Sequence, residues 1–305
     1  MTLFDRLILT ALPLIPKPVV GRFSRPYIAG ETVAQGMAES RRLNGLGCMV
    51  TLDILGEDID SREEARGSRD AYLELLDAIR AAGIDGNVSL KPTALGLKLD
   101  VDIAYENIRE IVAHAREIGC FVRIDMEDAQ TTDNTLAVYR RLRADFDNVG
   151  VVLQACLRRT VGDAEALAEM KANVRLCKGI YREPYRLSWR DREIIRRNFT
   201  FVLEILLRGG AYVGIATHDE WLVWDAMALV HRLELPRQAY EFQMLLGVTE
   251  RLRQVIVESG HRMRVYVPFG RDWYAYSSRR LRENPDMAGM IAKDILGLSQ
   301  DRGRR

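Results

Sequence analysis

The feature that most constrains the fold of this chain is one pattern that recurs along it. A short apolar run suited to a β-strand is followed each time by a longer amphipathic stretch with helical periodicity. The eight runs are GCMVTLDIL (47–55), NVSLKP (87–92), FVRIDME (121–127), VGVVLQA (149–155), VRLCKGI (174–180), YVGIATH (212–218), YEFQMLL (240–246) and MRVYVPF (263–269). Strands that each precede a helix, in roughly 250 residues, are typical of a (β/α)8 barrel.

The stretches between these runs carry recognisable helix boundaries. Ser61 and Glu64 form a candidate capping box at the start of one long helix, and Gly83 is its expected end. A later helix is predicted to open at Ser188 and Asp191. The alternative fold is a doubly wound open sheet, but no G-x-G-x-x-G pattern follows the first strand.

The length of 305 residues and a hydrophobic content of 48% allow a substantial core. No linker or low-complexity tract divides the chain, so we predict a single domain over 1–305. A helical segment at 1–46 then precedes a barrel at 47–298. The N-terminal stretch LFDRLILTALPLIPKPVV is too short and too rich in proline to span a bilayer. It is either a packing helix or a membrane-surface contact.

Charge and cysteine content narrow the function classes. The 44 basic residues nearly balance the 43 acidic residues, which argues against a nucleic-acid partner. The four cysteines lie in apolar stretches without metal-ligand spacing. We therefore expect buried, reduced thiols and a cytosolic protein.

In a barrel of this kind, the chemistry lies at the C-terminal ends of the strands. Nearly every predicted strand ends in polar or ionisable residues, which are Asp53, Lys91, Asp125 with Glu127, Gln154, Lys178, Thr217 with His218, Gln243 and Tyr266. One polar strand end means little, because a strand that continues into solvent also ends polar. Their convergence around one rim predicts a functional site.

Taken singly, these residues leave alternatives open. Lys91 suits either a Schiff base or an ion pair. Asp125 and Glu127 fall on the same side of their strand and could bind a metal or act as acid and base, but no histidine cluster accompanies them. No metal site is therefore expected. His218 has either a structural role or a ligand contact.

The stretch DWYAYSSRRLRENP (272–285) follows the last strand, so its helix begins at the same rim. Tyr276, Arg279, Arg280 and Glu283 stand at i, i+3, i+4 and i+7, which places them on one face. A guanidinium group matches a carboxylate or a phosphate. The alternative is a solvated face with an Arg280–Glu283 pair, but the barrel context favours an anion site.

These stretches resemble the proline dehydrogenase family, the flavin-dependent enzymes of proline catabolism. The residues that carry the resemblance are YIAGET (27–32), VSLKPTALGL (88–97), RIDMED (123–128), VLQACLRRT (152–160), RLCKGIYREP (175–184), IATHD (215–219), EFQMLLGV (241–248) and YVPFGRDWYAYSSRRLREN (266–284). Together they cover almost the whole chain, and the length resembles that of the monofunctional bacterial members.

The resemblance implies a distorted (β/α)8 TIM-type barrel that holds FAD noncovalently. It also implies oxidation of L-proline to Δ1-pyrroline-5-carboxylate, the first step of proline catabolism to glutamate. Electrons would pass to a membrane quinone during a transient membrane-surface contact. The protein would then be cytoplasmic and peripheral on the inner face of the cell membrane.

The resemblance also assigns roles to individual residues. Arg279 and Arg280 would clamp the proline carboxylate, and Lys91 and Asp125 would lie beside the substrate as a charge pair. The ring of the substrate would be walled by Tyr276, Tyr266, Tyr181 and Leu245. Arg175 and Gln154 would contact the flavin ring. The cofactor would also be held by Lys178, Gly179, Thr217, His218, Gln243 and Glu283.

Two positions depart from the family pattern. Pro92 stands where leucine is usual, and Ala94 stands where glutamine is common; proline stiffens the strand exit and removes an N–H donor. Two other functions remain as alternatives. One is a Schiff-base lyase that uses Lys91 or Lys178, and the other is a flavoprotein without catalysis, such as a sensor.

Overall fold

Parallel β-strands close into a barrel at the centre of the protein. The structure is a computed structural model and describes residues 21, 24–56, 59–274, 276 and 277. The strands are β1 (Met49–Ile54), β2 (Gly86–Leu90), β3 (Val122–Ile124), β4 (Val149–Gln154), β5 (Asn173–Cys177), β6 (Tyr212–Ala216), β7 (Tyr240–Leu245) and β8 (Met263–Phe269). Each pairs with the next in sequence, and β8 closes onto β1. The prediction of a (β/α)8 TIM-type barrel is confirmed, and the open sheet is excluded.

Helices form a layer outside the barrel. The described helices are α1 (Val33–Gly45), α2 (Arg62–Ala82), α3 (Val101–Glu117), α4 (Thr132–Asp145), α5 (Thr160–Glu169), α6 (Arg192–Arg208), α7 (Glu220–Arg232) and α8 (Glu250–Glu258). Short 3-10 helices cover Arg25–Tyr27, Pro92–Leu95 and Arg237–Ala239. From α2 to α8, each helix connects two consecutive strands, which is the alternation that the sequence pattern predicts.

The helix boundaries are mostly those expected, with two differences. The hydroxyl of Ser61 accepts the Glu64 N–H (3.2 Å), but the Glu64 carboxylate accepts the N–H of Asp60 (3.0 Å), so the reciprocal bond of a capping box is displaced by one residue. At the start of α6, the Asp191 carboxylate accepts two backbone N–H groups of the first turn. Ser188 lies earlier, in an isolated β-bridge, so Asp191 alone caps this helix.

The N-terminal side of the chain contributes to the barrel wall. Helix α1 packs against both β1 and β8 and therefore covers the seam where the barrel closes. At the C-terminal end of the barrel, Tyr276 is buried against Ile28 and Leu55. Residues 1–20 and 278–305 lie outside the described residues, so the domain boundaries stay a prediction. Within the described ranges, no helix is long and apolar enough to cross a membrane.

The interior of the barrel is unusually charged. Arg264 and Glu241 form a buried ion pair (2.7 Å). Burial alone would raise the pKa of Glu241, but Arg264 and further hydrogen bonds outweigh it and lower this pKa to about 2. Arg123 donates to the carbonyls of Val151 (2.9 Å) and Asn173 (2.7 Å), and burial lowers its pKa to about 9. These side chains form a polar floor beneath the strand ends.

Candidate active site

A cavity of about 630 Å³ opens at the C-terminal end of the barrel. Every candidate site residue that the structure describes lines it, namely Lys91, Asp125, Gln154, Arg175, Lys178, Gly179, Tyr181, Thr217, His218, Gln243, Leu245, Tyr266 and Tyr276. Arg279, Arg280 and Glu283 lie outside the described residues. The strand ends thus converge as expected, and the volume suits a cofactor or a small-molecule site.

Lys91 lines this cavity and forms an ion pair with the buried carboxylate of Asp53, a strand-end residue to which the sequence assigned no role. Its Nζ donates to both oxygens of Asp53, at 2.9 and 2.8 Å. Asp53 is fully buried at the end of β1, beside β2, and the Tyr72 hydroxyl lies 3.4 Å from it. Burial raises the pKa of Asp53, although the lysine charge opposes this. The ion pair fixes the lysine amine in the cavity floor.

Asp125 has a different ion-pair partner from the one expected. Its carboxylate accepts bonds from Arg175 (2.7 Å), the Ser89 hydroxyl (2.6 Å) and the Tyr266 hydroxyl (3.2 Å). The charge pairs are therefore Lys91–Asp53 and Asp125–Arg175. The first pair joins the neighbouring strands β1 and β2, and the second crosses the barrel interior from the end of β3 to β5. Asp125 is thereby held rigidly between several donors.

Tyr266 and Arg175 form one surface of the cavity. The Arg175 guanidinium lies 5.3 Å from the centre of the Tyr266 ring, in cation–π range. Burial, followed by the nearby Asp125 and Asp53 charges, raises the pKa of Tyr266 well above its usual value. Tyr266 is consequently a neutral hydrogen-bond donor at physiological pH.

A hydrogen-bond relay links Arg175 to the floor of the barrel. Its Nε donates to the Gln243 carbonyl oxygen (2.6 Å), and the Gln243 amide donates to Glu241 (2.6 Å). Gly214 permits this path, because a Cβ there would collide with the Gln243 amide. Gln243 therefore acts on the cavity mainly by fixing Arg175.

Lys178 lies at the rim in a cluster that the sequence analysis missed. Its Nζ lies 3.1 Å from the carboxylate of Asp219, which also receives two hydrogen bonds from Arg196, at 2.9 and 3.0 Å. Burial would raise the pKa of Asp219, but these bonds outweigh it and lower the pKa to about 2. Asp219 is the last residue of the IATHD stretch (215–219) and directly precedes α7, so its position after a strand end was a usable signal.

Glu127 lines the cavity and also holds the turn that follows Lys91. Its carboxylate accepts the backbone N–H of Thr93 (2.9 Å) and the Thr93 hydroxyl (2.6 Å). These bonds hold the 3-10 turn that follows Lys91. Pro92 is the first residue of that turn, where a backbone N–H is not needed. The unusual proline is therefore compatible with the pose of Lys91.

His218 connects two strand ends. Its Nε2 accepts the backbone N–H of Leu245 (2.8 Å), so the proton of the neutral ring belongs on Nδ1. The hydroxyl of Thr217 accepts the Asp219 N–H (3.1 Å), which shapes the same turn. His218 thus has a structural role, and it also lines the cavity.

Gly179 lies where the chain turns beneath the cavity. Its φ of +92° lies in the left-handed region, and a Cβ there would collide with the sulfur of Cys156. The neighbouring Gln154 donates its amide to the Glu127 carbonyl (2.8 Å). The turn after β5 can therefore lie flat against β4 only with glycine at this position.

The described cavity suits an organic anion or an anionic cofactor better than a metal. Arg175, Lys178 and Arg192 supply cations along its length, and tyrosines and aliphatic groups supply apolar walls. Among the residues that the structure describes, no group of three or more histidine, cysteine or acidic side chains is placed to hold a metal ion. Guanidinium, amide and hydroxyl donors fit the carbonyl oxygens and phosphates of a flavin dinucleotide.

Comparisons with known proteins agree with this architecture. A profile of the proline dehydrogenase family matches residues 36–293. The chain is 34% identical to proline dehydrogenase 1 of Bacillus subtilis subsp. natto over 273 residues, 90% of each chain. It is 37% identical to proline dehydrogenase of Deinococcus radiodurans over 275 residues, 88% of this chain and 89% of the relative.

A solved structure shares the barrel fold. Proline utilization A (PutA) from Bdellovibrio bacteriovorus, inactivated by N-propargylglycine, matches 96% of this chain with a TM-score of 0.83 and 23% identity. That protein is longer, and this chain covers 38% of it. Because the family profile spans most of the chain and the relatives match at nearly full length, the chain belongs to the proline dehydrogenase family of enzymes.

Proposed function

We propose that this protein oxidises L-proline to Δ1-pyrroline-5-carboxylate with noncovalently bound FAD and passes the electrons to a membrane quinone. The observation that carries the proposal is the cavity itself. In a barrel of the proline dehydrogenase family, the expected substrate and cofactor residues that the structure describes line one space of about 630 Å³. The reaction removes two electrons from proline and forms a C=N bond in its ring.

The substrate side of the proposal rests on charge and apolar walls. Proline carries a carboxylate and an amine on a small apolar ring. Tyr181, Tyr276 and Leu245 line the cavity and can pack against the methylene groups. Arg279 and Arg280 are proposed to hold the carboxylate, since a planar guanidinium makes two parallel bonds to it. Arg280→Lys should therefore raise the KM for proline.

The amine of proline must lose a proton during the reaction, and the nearby carboxylate of Asp125 is already held by hydrogen bonds to other side chains. The protonated amine of proline must lose a proton before the adjacent ring carbon loses a hydride, because the nitrogen lone pair forms the C=N bond. The Asp125 carboxylate is engaged by Arg175 and Tyr266, which makes it an electrostatic and orienting group near the amine. We therefore propose loss of the amine proton to solvent before hydride transfer. Positioning of the reacting ring carbon would then contribute to the rate enhancement.

The cofactor side rests on the donors beneath and around the cavity. Arg175 and Gln154 are proposed to contact the flavin ring, and Lys178, Thr217 and His218 to hold the remainder of FAD. Asp219 would fix Lys178 for this purpose. When bound, FAD supplies the acceptor for the hydride equivalent. The site would also need to exclude water from the reacting carbon.

The test is product formation with a soluble electron acceptor. The purified protein, supplemented with FAD, should reduce dichlorophenolindophenol only when L-proline is present. o-Aminobenzaldehyde should trap Δ1-pyrroline-5-carboxylate in equal amount. Replacing the dye with a water-soluble short-chain quinone then tests the proposed acceptor. Dye reduction without trapped product would contradict the proposed reaction.

The Schiff-base alternative is disfavoured by the state of the two lysines. Lys91 pairs with Asp53 and Lys178 pairs with Asp219, so each amine is held by a carboxylate rather than directed at a carbonyl carbon. Borohydride treatment in the presence of carbonyl compounds should leave the mass of the protein unchanged. A covalent adduct on either lysine would support the lyase and contradict the proposed function.

A further inference from the structure

The loop between β5 and α6 forms one wall of the cavity. It covers 178–191, and its first four residues line the cavity, namely Lys178, Gly179, Ile180 and Tyr181. Most of the loop beyond them faces solvent; Tyr185 is 67% exposed and Leu187 is 37% exposed. A solvent-exposed loop keeps a cavity wall in place only where specific contacts fix it to the barrel.

The second half of this loop is fixed to the turn after β4. The Trp189 N–H donates to the Cys156 carbonyl (2.7 Å), and the Arg158 N–H donates to the Leu187 carbonyl (2.9 Å). The Arg158 guanidinium also lies 3.8 Å from the centre of the Trp189 ring, in cation–π range. These contacts hold residues 187–189, which lie six or more positions beyond Tyr181.

Glu183 provides a separate contact for the first half of the loop. Its side chain is buried, with the residue only 8% exposed, although Arg182 and Pro184 on either side are exposed. The Glu183 carboxylate accepts the Ala129 N–H (2.8 Å), and the Glu183 N–H donates to the Tyr181 carbonyl (3.1 Å). Burial of a carboxylate is costly unless it is hydrogen-bonded, so the bond to Ala129 stabilises this inward orientation.

The bond from Glu183 to Ala129 joins two walls of the cavity. Ala129 lies in the turn after β3, which also brings Asp125 and Glu127 to the cavity. In the barrel, β4 lies between β3 and β5, so the bond reaches over the end of β4 to the wall that carries Tyr181. Asp125 is held by other side chains, so loss of this bond would loosen Tyr181 rather than Asp125.

We propose that Glu183 is a positioning residue that holds Tyr181 in the cavity wall. The kinetic part of this inference rests on the proposed function, in which Tyr181 packs against the methylene groups of proline. A contact made equally before and during the reaction affects KM more than kcat. Lys178 is held separately by Asp219, so the affinity for FAD should not depend on Glu183.

Limited trypsin digestion tests the bond without any ligand. Arg186 is exposed in the loop, and fragment masses identify cleavage after it. Glu183→Ala should be cleaved there about tenfold faster than the parent protein, because the loop opens more often once the bond is lost. Glu183→Gln retains an acceptor oxygen, so its cleavage rate should stay within about twofold of that of the parent. Because glutamine also removes the charge near the cleavage site, it separates loop opening from a change in trypsin preference.

A matched control and a second variant complete the digestion experiment. Glu165→Ala removes an exposed glutamate from α5 and should be cleaved after Arg186 like the parent protein. If urea unfolding shows that Glu183→Ala does not fold, Glu183→Asp replaces it, because aspartate keeps the charge but is too short to reach Ala129. That variant should also be cleaved about tenfold faster. Equal cleavage of the parent, the Glu183 variants and Glu165→Ala would overturn the proposal.

Steady-state dye reduction tests the link to Tyr181. In Glu183→Ala, the KM for L-proline should rise about tenfold, while kcat and the FAD affinity from fluorescence titration should stay within about twofold. Glu183→Gln should restore the parent KM. In a Tyr181→Ala background, adding Glu183→Ala should leave KM unchanged, because the side chain that Glu183 positions is gone. A further tenfold rise in that double variant would overturn the role through Tyr181.

Failure of this inference and failure of the proposed function give different results. Absence of proline oxidation by the parent protein would contradict the proposed function, and the ligand-free digestion would still decide whether Glu183 holds the loop. Faster cleavage of Glu183→Ala together with an unchanged KM for L-proline would show that Glu183 does not position Tyr181 for the substrate. That result would overturn the inference and leave the proposed function standing.

Discussion

Replacing Asp53 with asparagine tests the ion pair on which the cavity floor is built. The substitution keeps the shape and one hydrogen-bond acceptor but removes the negative charge. Asp53 is fully buried, and the side chain of Lys91 is only 10% exposed. The lysine charge would then lie in the protein without its counterion.

The expected loss follows from burial and from the acidity of lysine. Removing one partner of a buried ion pair typically costs about 3–5 kcal/mol. The lysine can also lose its proton, which at pH 7.5 costs about 4 kcal/mol for an ordinary lysine amine. Asp53→Asn should therefore lower the free energy of unfolding by about 3–4 kcal/mol. The deficit should shrink by up to about 1.4 kcal/mol per unit as pH rises, because the neutral amine becomes easier to form.

Urea unfolding from pH 7 to 9.5, at one fixed FAD concentration, measures this loss. The matched control is Asp102→Asn, because Asp102 forms an ion pair with Arg141 at 2.6 Å while its side chain is 72% exposed. That variant should lose less than about 1 kcal/mol at every pH. A similar small loss in both variants, without pH dependence, would refute the reasoning about the buried pair.

Three further predictions concern stability and cofactor retention. The pKa of Glu241 is lowered to about 2, so the stability that its charge contributes is fully present above about pH 4.5 and is lost as the pH falls towards 2. Glu241→Gln should therefore lower the free energy of unfolding at pH 7 by a few kcal/mol. In acid, the denaturant midpoints of the variant and the parent protein should converge. Gly179→Ala should lower the free energy of unfolding by more than about 2 kcal/mol in chemical denaturation. The control is Gly210→Ala, where φ is also positive (+78°) but the space around the glycine is open, and it should lose about 1 kcal/mol. Equal losses in the two variants would contradict the predicted collision at Gly179. Asp219→Asn should weaken FAD binding about tenfold in fluorescence titration, because Lys178 loses its orienting charge, and unchanged binding would exclude that role.

The barrel could be predicted because parallel strands buried on both faces read as short apolar runs. Each predicted run coincides with one strand, although β2 and β5 begin one residue before their predicted runs. The polar residues at the strand ends converge as the barrel geometry requires. The roles assigned to these residues stay predictions. Arg279, Arg280 and Glu283 lie outside the described residues, so the proposed carboxylate clamp also stays a prediction.

The partners of the charged groups could not be predicted from the sequence. Lys91 meets Asp53 and Asp125 meets Arg175 through contacts between strands, and such pairings depend on register and side-chain direction. Asp219 was missed for the same reason, because its importance follows from the cations packed around it. The polar residues at strand ends identify candidate site residues, but which of them form ion pairs depends on the geometry of the folded barrel.

The buried ion pair of Arg264 and Glu241 in the barrel interior could not be predicted, because both residues lie within apolar runs. Glu241 and Arg264 interrupt runs that otherwise read as buried strands, and their burial becomes possible because the two form an ion pair.

The central claim is that the cavity holds a flavin that L-proline reduces. The most direct measurement is an anaerobic visible spectrum of the purified, FAD-supplemented protein before and after addition of L-proline. The account predicts bound flavin absorbance that bleaches with proline and returns when a soluble quinone is added. Absence of bound flavin, or a flavin spectrum that proline leaves unchanged, would contradict it.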